Sequence, residues 1–322
     1  SVLPAPEAPT SALACMAITG PEQAVVFRAG VDGKTSYDVA ASAAAELKDK
    51  LPGAKQIQIL VTGLDLSGDK IIEGIESVFG PDIVLFGGTS ADPGKAKRTV
   101  QFHVDQIVSD GLILVGLADP TLEMVSGAHH GSLPVGTDFE VSKSDTNHVF
   151  EIDGEPAWPF LMARLQVPVS SHPSEVLPIA GLGYALSAED AAAYDSAHIL
   201  CVSFKVADDQ QSFWLPRTAP SGTRFVLVQR DEDLIFGGLD RLVGRLREQL
   251  GGQTPVAVFH CDCMARGRLT FDRVNKDEII GRMQVPFVGD ADVPWLGLYG
   301  YGEFTQIRGK NHFHAYTTSL YA

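Results

Sequence analysis

One order of segments occurs twice in this chain and limits what the chain can fold into. In the first half, an alanine-rich stretch precedes the alternating run QIQILVTG, a segment with helical spacing of Ile71 and Ile75, and the short apolar run DIVLFGG. In the second half, LIFGGLDRLVGRLREQLGG has one apolar helical face and precedes PVAVFHCD. Alternating apolar residues are typical of strands, and spacing by three and four is typical of helices. The repeat therefore predicts two similar α/β units, each a β-α-β-α-β succession followed by a β meander.

The same patterns divide the chain into four parts. Residues 1–22 are rich in proline and are predicted to form a mobile tail. Residues 23–131 form the first unit, residues 132–221 a smaller middle β segment, and residues 222–322 the second unit. The run TRFVLVQR is expected to open the second unit, while VPFVGD and WLGLYGYGEF are each expected to be one strand. The predicted fold class is α/β with mixed sheets.

Charge and composition exclude several classes of function. Asp and Glu number 40 against 25 Lys and Arg, so the formal net charge is -15, whereas nucleic-acid-binding surfaces are basic. No apolar run approaches the ~20 residues of a membrane-spanning helix. The four cysteines are too few and too unevenly spaced for a disulfide scaffold. We expect a soluble, cytoplasmic protein that binds neither nucleic acid nor membrane.

Two glycine-containing turns resemble phosphate-binding loops only in part. In GGTSADPGK, five residues separate Gly88 from Gly94, where a phosphate loop has four, and alanine follows the lysine. In LDLSGDK, Asp69 stands where lysine is needed. We interpret both segments as turns at the edge of a sheet.

The densest cluster of reactive side chains is the run His260-Cys261-Asp262-Cys263. Alternation along a strand places the two cysteines on one face and His260 with Asp262 on the other. A structural zinc site needs a second pair of ligands, and the sequence offers no C-x-x-C pair to supply it. We therefore expect no metal.

A cysteine-dependent enzyme is one alternative reading of this run. Cys263 ends the predicted strand with Arg266 close behind it, and a neighbouring cation favours the thiolate. A nucleophile also needs a base and a group that orients the base, for which His312 and His314 are the candidates. Because this set is incomplete, we predict no catalytic residues and no enzymatic activity.

Tyr299, Tyr301 and Glu303 alternate along the predicted strand WLGLYGYGEF and are expected on one face. The glycines between them weaken a strand unless something approaches its backbone closely. A carboxylate beside tyrosine hydroxyls and the guanidinium of Arg266 could bind the amine and the carboxylate of a small zwitterion. The alternative is that Arg266 and Glu303 pair with each other and hold the structure together.

The ordered series of motifs resembles the FIST domain family, a two-part bacterial sensory module, over roughly residues 24–320. LDLSGDK, LFGGTSAD and VQFHVDQIVSDGLILVGL follow the family's order in the first part, and VFEIDGEPAWPFL, with Asp153 and Gly154, is similar to its junction. In the second part, VFHCDCMARG has the family's Cys-x-x-Arg-Gly pattern and YGYGEF its Gly-Glu pair. HAYTTSL resembles the family's ending, with Ala315 where asparagine is expected.

The resemblance implies a sensor that binds amino acids or related metabolites. Its signal would pass to a separate partner such as a histidine kinase, a cyclic-dinucleotide enzyme or a chemoreceptor. Some members of the family bind haem and sense nitric oxide, so a haem-based sensor is a second alternative; no other cofactor is expected. The predicted ligand-binding residues are Cys263, Arg266, Gly267, Tyr299, Tyr301, Glu303, His314 and Thr317, with Gly87, Gly88, Asp92 and Asp153 as secondary candidates.

Overall fold

The computed structural model describes residues 15–20, 22–92, 95–176, 178–203, 205–268, 273–289 and 291–322. Most of the tail predicted for residues 1–22 lies outside these ranges.

Three successive parts of the chain carry the secondary structure. The first part contains β1 Gln23–Arg28, α1 Ser36–Lys50, β2 Gln56–Val61, α2 Gly68–Phe79, β3 Val84–Thr89, β4 Gln101–His103, β5 Gln106–Val108, β6 Leu112–Leu117 and β7 Ser126–His129. The middle part contains β8 Ser132–Asp145, β9 His148–Ile152, β10 Glu155–Pro156, α3 Ala157–Leu165, α4 Pro173–Val176, β11 Gly181–Ala185, α5 Ala188–Tyr194, β12 His198–Cys201, β13 Lys205–Val206, β14 Phe213–Trp214 and β15 Arg224–Arg230. The last part contains α6 Glu232–Gln249, β16 Val258–Cys263, a π-helical turn Met264–Arg268, α7 Arg273–Val288, β17 Trp295–Gly300, β18 Glu303–Ile307, β19 Lys310–His314 and β20 Thr318–Tyr321.

The strands form three larger sheets and one separate hairpin, β4–β5. Sheet I has the order β1-β6-β2-β3-β18-β19, and sheet III has the order β17-β16-β20-β7. Sheet II, built from the middle part, has the order β12-β11-β15-β8-β9-β14-β13, with β10 paired to β9. In sheet I, β2 and β3 are parallel, as are β16 and β17 in sheet III; the other pairs are antiparallel.

Sheets I and III pack face to face between two layers of helices. Apolar residues of α1 and α2 cover the outer face of sheet I, and those of α6 and α7 cover the outer face of sheet III. Between the sheets, Phe86 of β3 packs with Cys261 of β16 and Tyr321 of β20. The result is an α/β/β/α arrangement, with sheet II beside it.

The helices form for local reasons that are visible in the sequence. The carboxylate of Asp231 accepts the N–H of Leu234 and caps the start of α6. In α2, a Cβ atom on Gly74 would lie 2.6 Å from the carbonyl oxygen of Tyr37 and 3.0 Å from the Cβ of Ala40. The small residues therefore let α1 and α2 cross closely enough to share one apolar core.

The prediction of two similar α/β units is confirmed, but one strand of the repeat is not where the sequence placed it. The order β3-β2-β6-β1 in sheet I matches the order β17-β16-β20-β7 in sheet III. The counterpart of β1 is thus β7, which precedes the middle part. The predicted opening strand TRFVLVQR is β15, and it pairs with β8 and β11 in sheet II.

Two predicted strands are wrong in detail. VPFVGD belongs largely to the end of α7, because Ile279, Met283 and Phe287 recur every four residues and share the core between α6 and α7. WLGLYGYGEF is not one strand. It breaks after Gly300, and its two parts enter different sheets, as β17 in sheet III and β18 in sheet I.

Strands exchanged between the halves predict that neither half folds alone. Separated fragments 23–131 and 132–322 would leave β3 without β18 and β20 without β7, and would expose the aromatic residues between the sheets. We expect each fragment by itself to lack a cooperative thermal transition in circular dichroism, and the two co-expressed fragments to form a folded complex. A cooperative transition in either isolated fragment would contradict the exchange.

Candidate functional site

Buried polar side chains form two groups near the carboxyl end of β16, one on each face of sheet III. The outer group faces α6 and α7 and consists of His129, His260, Asp262, Arg266 and Thr318. The inner group lies between sheets I and III and consists of Tyr194, Glu303, His314 and Thr317, of which Glu303 and His314 belong to β18 and β19 of sheet I. Three predicted ligand residues therefore meet in the inner group, whereas Arg266 belongs to the outer one.

Arg266 pairs with Asp262. The π-helical turn Met264–Arg268, which contains Gly267, folds the chain back so that Nη1 of Arg266 lies 3.5 Å from Oδ1 of Asp262. Nη2 of Arg266 donates to the carbonyl oxygen of Ile235 at 3.4 Å. Burial lowers the pKa of Arg266 while Asp262 opposes the shift, and burial raises the pKa of Asp262 to about 6.

The histidines of the outer group are neutral. Nε2 of His260 lies 2.8 Å from Oγ1 of Thr318, and Nε2 of His129 lies 3.0 Å from the carbonyl oxygen of Leu234. Burial, assisted by the charge of Arg266, lowers the pKa of His260 to about 3 and that of His129 to about 4. Neither imidazole carries a charge that could balance Asp262 at neutral pH.

Glu303 is the centre of the inner group. It has no exposed surface, and Oε2 accepts a hydrogen bond from the hydroxyl of Thr317. Burial raises the pKa of Glu303 well above its ordinary value, and the charge of Arg266 opposes that shift only in part. His314 lies opposite Glu303 in the β18–β19 register, and its Nδ1 is 3.1 Å from the hydroxyl of Tyr194. Burial lowers the pKa of His314 well below its ordinary value, which favours the neutral imidazole.

The three side chains predicted to share one face are separated. Tyr299, in β17, is 38% exposed, whereas Tyr301 is 1% exposed and lies in the break between β17 and β18. The hydroxyl of Tyr301 donates to the carboxylate of Asp92 and accepts the N–H of Ala96 at 3.3 Å. Because the chain changes sheets at this break, strand alternation does not extend from Tyr299 to Glu303.

Asp92 and Asp153 organise turns. The carboxylate of Asp92 accepts the N–H groups of Lys97 and Arg98, in addition to its bond with Tyr301. Burial opposes the shift, but these hydrogen bonds outweigh it and lower the pKa of Asp92. Asp153 has a φ of 50° in the turn after β9, and its Oδ1 accepts the N–H of Glu140 at 2.9 Å, within sheet II.

The double glycine Gly87-Gly88 lies where sheets I and III approach each other. Gly87 has a φ of +120°, and a Cβ there would be 2.2 Å from the carbonyl oxygen of Ile59. A Cβ on Gly88 would be 3.2 Å from Sγ of Cys261. In this structure both glycines allow close backbone packing rather than lining an opening.

The cysteines are placed as strand alternation predicted. Cys261 packs between the sheets, while His260 and Asp262 face the helices. Cys263 is fully buried, and burial raises the pKa of its thiol well above the ordinary value; the pKa of Cys201 rises to about 12 for the same reason. The thiolate that a cysteine nucleophile needs is therefore disfavoured.

Cavities of 240 to 550 Å³ open among the described residues, and neither Arg266 nor Glu303 lines any of these. A haem needs a large apolar pocket with an axial ligand. The cavity lined by Phe86, Phe259 and Tyr321 has no histidine or cysteine in its lining. The cavity that includes His172 is lined mainly by polar residues. Neither of these two linings fits a haem held by histidine or cysteine. Nor does the described part of the chain group three His, Cys, Asp or Glu residues that could hold a metal ion.

The sequence interpretation missed Asp262 as the partner of Arg266. Two signals were present: Asp262 is a charged residue inside a predicted strand, and it precedes Arg266 by four positions. Tyr194, which contacts His314, had no comparable signal, because 120 residues separate the two along the chain.

Comparison with known proteins identifies two family models on this chain. One, described as the FIST N domain, matches residues 9–155, and the other, described as the FIST C domain, matches residues 163–306. No curated protein matches the chain. Among solved structures, "Crystal structure of cyanuic acid hydrolase from A. caulinodans" is 13% identical over 93% of this chain and 98% of that chain, with a TM-score of 0.20. A likeness this weak carries no argument about function.

No helix among the described residues combines the length and apolar character needed to cross a membrane.

The lowered pKa of His260 predicts a loss of stability in acid. The unfolded chain binds a proton at His260 near the ordinary pKa, and the folded chain does so only near a pH of about 3. Between these values the free energy of unfolding falls as pH falls, by up to about 1.4 kcal/mol per pH unit for this one group. Asp262 has the opposite effect below about pH 6, because its folded-state pKa is raised.

We therefore expect His260→Gln to lessen the acid-dependent loss. The difference in free energy of unfolding between wild type and variant, measured in urea from about pH 7 to about pH 5, isolates this residue from the other titrating groups. The exposed His172 offers a matched control, since His172→Asn removes an imidazole from the surface. A pH-independent difference for His260→Gln would contradict the prediction.

Thiol burial predicts selective alkylation. In the native protein at neutral pH, iodoacetamide should modify Cys15, which is exposed, while Cys201, Cys261 and Cys263 react only after unfolding in urea. Peptide mass spectrometry of both samples measures the four sites separately. Rapid native modification of Cys263 would reopen the nucleophile hypothesis.

Proposed function

Because the chain belongs to the FIST family, with a FIST N domain followed by a FIST C domain, we propose that it is a cytoplasmic sensor of a small zwitterion such as an amino acid. FIST domains are sensory domains in signal transduction. The protein would pass its signal to a separate protein of the histidine kinase, cyclic-dinucleotide enzyme or chemoreceptor type. It would act by binding and not by catalysis.

One observation carries this proposal: buried polar atoms of both groups lack hydrogen-bond partners among the described residues. They include Oε1 of Glu303, Nε2 of His314 and Nε of Arg266, whereas Nη1 of Arg266 and Oδ1 of Asp262, which also make no hydrogen bond, face each other at 3.5 Å as an ion pair. An unsatisfied buried polar atom costs about 1–3 kcal/mol, and more when it belongs to a charged group. A ligand with an ammonium and a carboxylate supplies the complementary donors and acceptors. Its ammonium suits Glu303, and its carboxylate suits Arg266.

The position of Arg266 allows one ligand to reach both groups. Arg266 follows the last residue of β16, at the edge where the two faces of sheet III meet. It forms no direct ion pair with Glu303 in the described structure, yet each side chain shifts the pKa of the other electrostatically. A small molecule bound at this edge would contact the carboxyl end of β16 and the start of β18.

Binding requires the sheets to separate at this end, because Arg266 and Glu303 are 1% and 0% exposed. Only Tyr301 and Gly302 connect β17 of sheet III to β18 of sheet I, so a shift of this link moves both sheets. The ligand would stabilise the arrangement in which it is bound, and the partner would recognise that arrangement. Because the unpartnered atoms have no hydrogen bonds to lose, they lower the free energy needed to separate the sheets.

The proposal predicts that Glu303→Gln weakens amino-acid binding. The substitution keeps the volume but removes the carboxyl group, which would release its proton to pair with the ligand's ammonium, so we expect at least a tenfold rise in Kd, about 1.4 kcal/mol. Arg266→Lys keeps a cation but loses the planar fork, and should weaken binding as well. Isothermal calorimetry with the common amino acids measures both effects. The exposed Glu155 provides the control variant Glu155→Gln. Absence of binding by the wild type, or equal binding by all variants, would contradict the proposal.

A further inference from the structure

A cavity lies at the end of the paired sheets that is away from both polar groups. Its volume is about 440 Å³, within the range of small-molecule sites. It opens beside the amino ends of β2 and β16, whereas Arg266 follows the carboxyl end of β16. Its lining includes Gln56, Phe86 and Leu117 of sheet I and Phe259 and Tyr321 of sheet III.

Three aromatic rings form the inner wall of this cavity. The ring centroids of Phe86 and Tyr321 are 5.4 Å apart, and those of Phe86 and Phe259 are 6.1 Å apart, with interplanar angles of 52° and 53°. The hydroxyl of Tyr321 donates to the carbonyl oxygen of Phe304 at 2.6 Å and lies 3.1 Å from that of Gly87, so it is already engaged. The wall therefore offers aromatic surface without a free donor.

Gln56 supplies an acceptor without a partner. It is 5% exposed, and its Nε2 donates to the carbonyl oxygen of Leu122 at 3.2 Å, which orients the amide. Oε1 is buried and has no hydrogen-bond partner among the described residues. A buried amide oxygen left in this way costs about 1–3 kcal/mol, which a ligand N–H or O–H would recover.

We propose that this cavity binds a neutral aromatic molecule that donates one hydrogen bond, from an N–H or an O–H group, to Oε1 of Gln56. The aromatic wall selects a flat apolar ring. Glu123, which is exposed at the rim, is the one charged side chain in the described lining, so the site offers no buried charge to an ionic ligand. This site is separate from the zwitterion site and does not depend on it.

A ligand in this cavity would contact both sheets at once. Its walls come from β2, β3 and β6 of sheet I, from β16 and β20 of sheet III, and from the end of α6. Occupancy would hold the two sheets together at this end and favour one arrangement of the sheets over another. The ligand would therefore act on the same packing as the zwitterion, from the opposite end.

Indole and 1-methylindole test the site, because they share an aromatic ring system and only indole has an N–H. We expect wild-type protein to bind indole at least tenfold more tightly than 1-methylindole in isothermal calorimetry. Gln56→Leu should weaken indole binding at least tenfold and leave 1-methylindole within about twofold, consistent with the loss of one hydrogen bond. Gln58→Leu is the matched control: Gln58 is on the same strand but does not line the cavity.

Ala257→Trp tests the location, since Ala257 lines the cavity and an indole side chain there would fill it. We expect this variant to lose both probes while keeping a cooperative thermal transition. Glu303→Gln should bind indole like the wild type, which separates this site from the zwitterion site. Equal affinity of the wild type for the two probes would overturn the proposal without any variant. Unchanged indole binding by folded Gln56→Leu or Ala257→Trp would do the same.

Discussion

The structure depends on the face-to-face packing of sheets I and III, and strand exchange holds that packing together. β7, from the first part of the chain, completes sheet III, and β18 and β19, from the last part, extend sheet I. Each exchanged strand satisfies its backbone hydrogen bonds in the sheet of the other half. The close approach that results leaves little room for a side chain at Gly88 and buries Cys261 between the sheets. The two units consequently share the apolar layer between the sheets, in addition to the core that each has beneath its own helices.

Burial dominates the electrostatics of the polar groups on both faces of sheet III. It raises the pKa of Glu303 and Asp262 and lowers that of His260 and His314, in each case favouring the neutral form. Arg266 opposes the shift of both carboxyl groups but does not cancel it. A layer of buried, partly unpartnered polar groups stabilises a fold less than an apolar layer of the same volume would. Its presence at the junction of two sheets suits a protein that must change arrangement when a ligand binds.

The two proposed sites differ in chemistry because they lie at opposite ends of the same sheet pair. At the carboxyl ends, loops and the π-helical turn bring polar side chains to the junction, and these side chains suit a charged metabolite. At the amino ends, Phe86, Phe259 and Tyr321 face one another with only an amide oxygen among them, which suits an apolar ring with one donor. The packing of the two sheets connects the two ends, so either ligand could influence the arrangement that a partner recognises.

The periodicity and the order of motifs alone determined the α/β class, the twofold repeat and the faces of the His260–Cys263 strand, because these follow from local spacing of apolar residues. Ile279, Met283 and Phe287 also have the spacing of a helix, but the proline and valines of VPFVGD suggested a strand there. Tertiary structure alone decided that β7 replaces β15 in the repeat, that Tyr299 and Glu303 belong to different sheets, and that Arg266 pairs with Asp262. Strand pairing joins residues far apart in sequence, and the free energy that selects among pairings comes from burying whole faces, which no local pattern encodes.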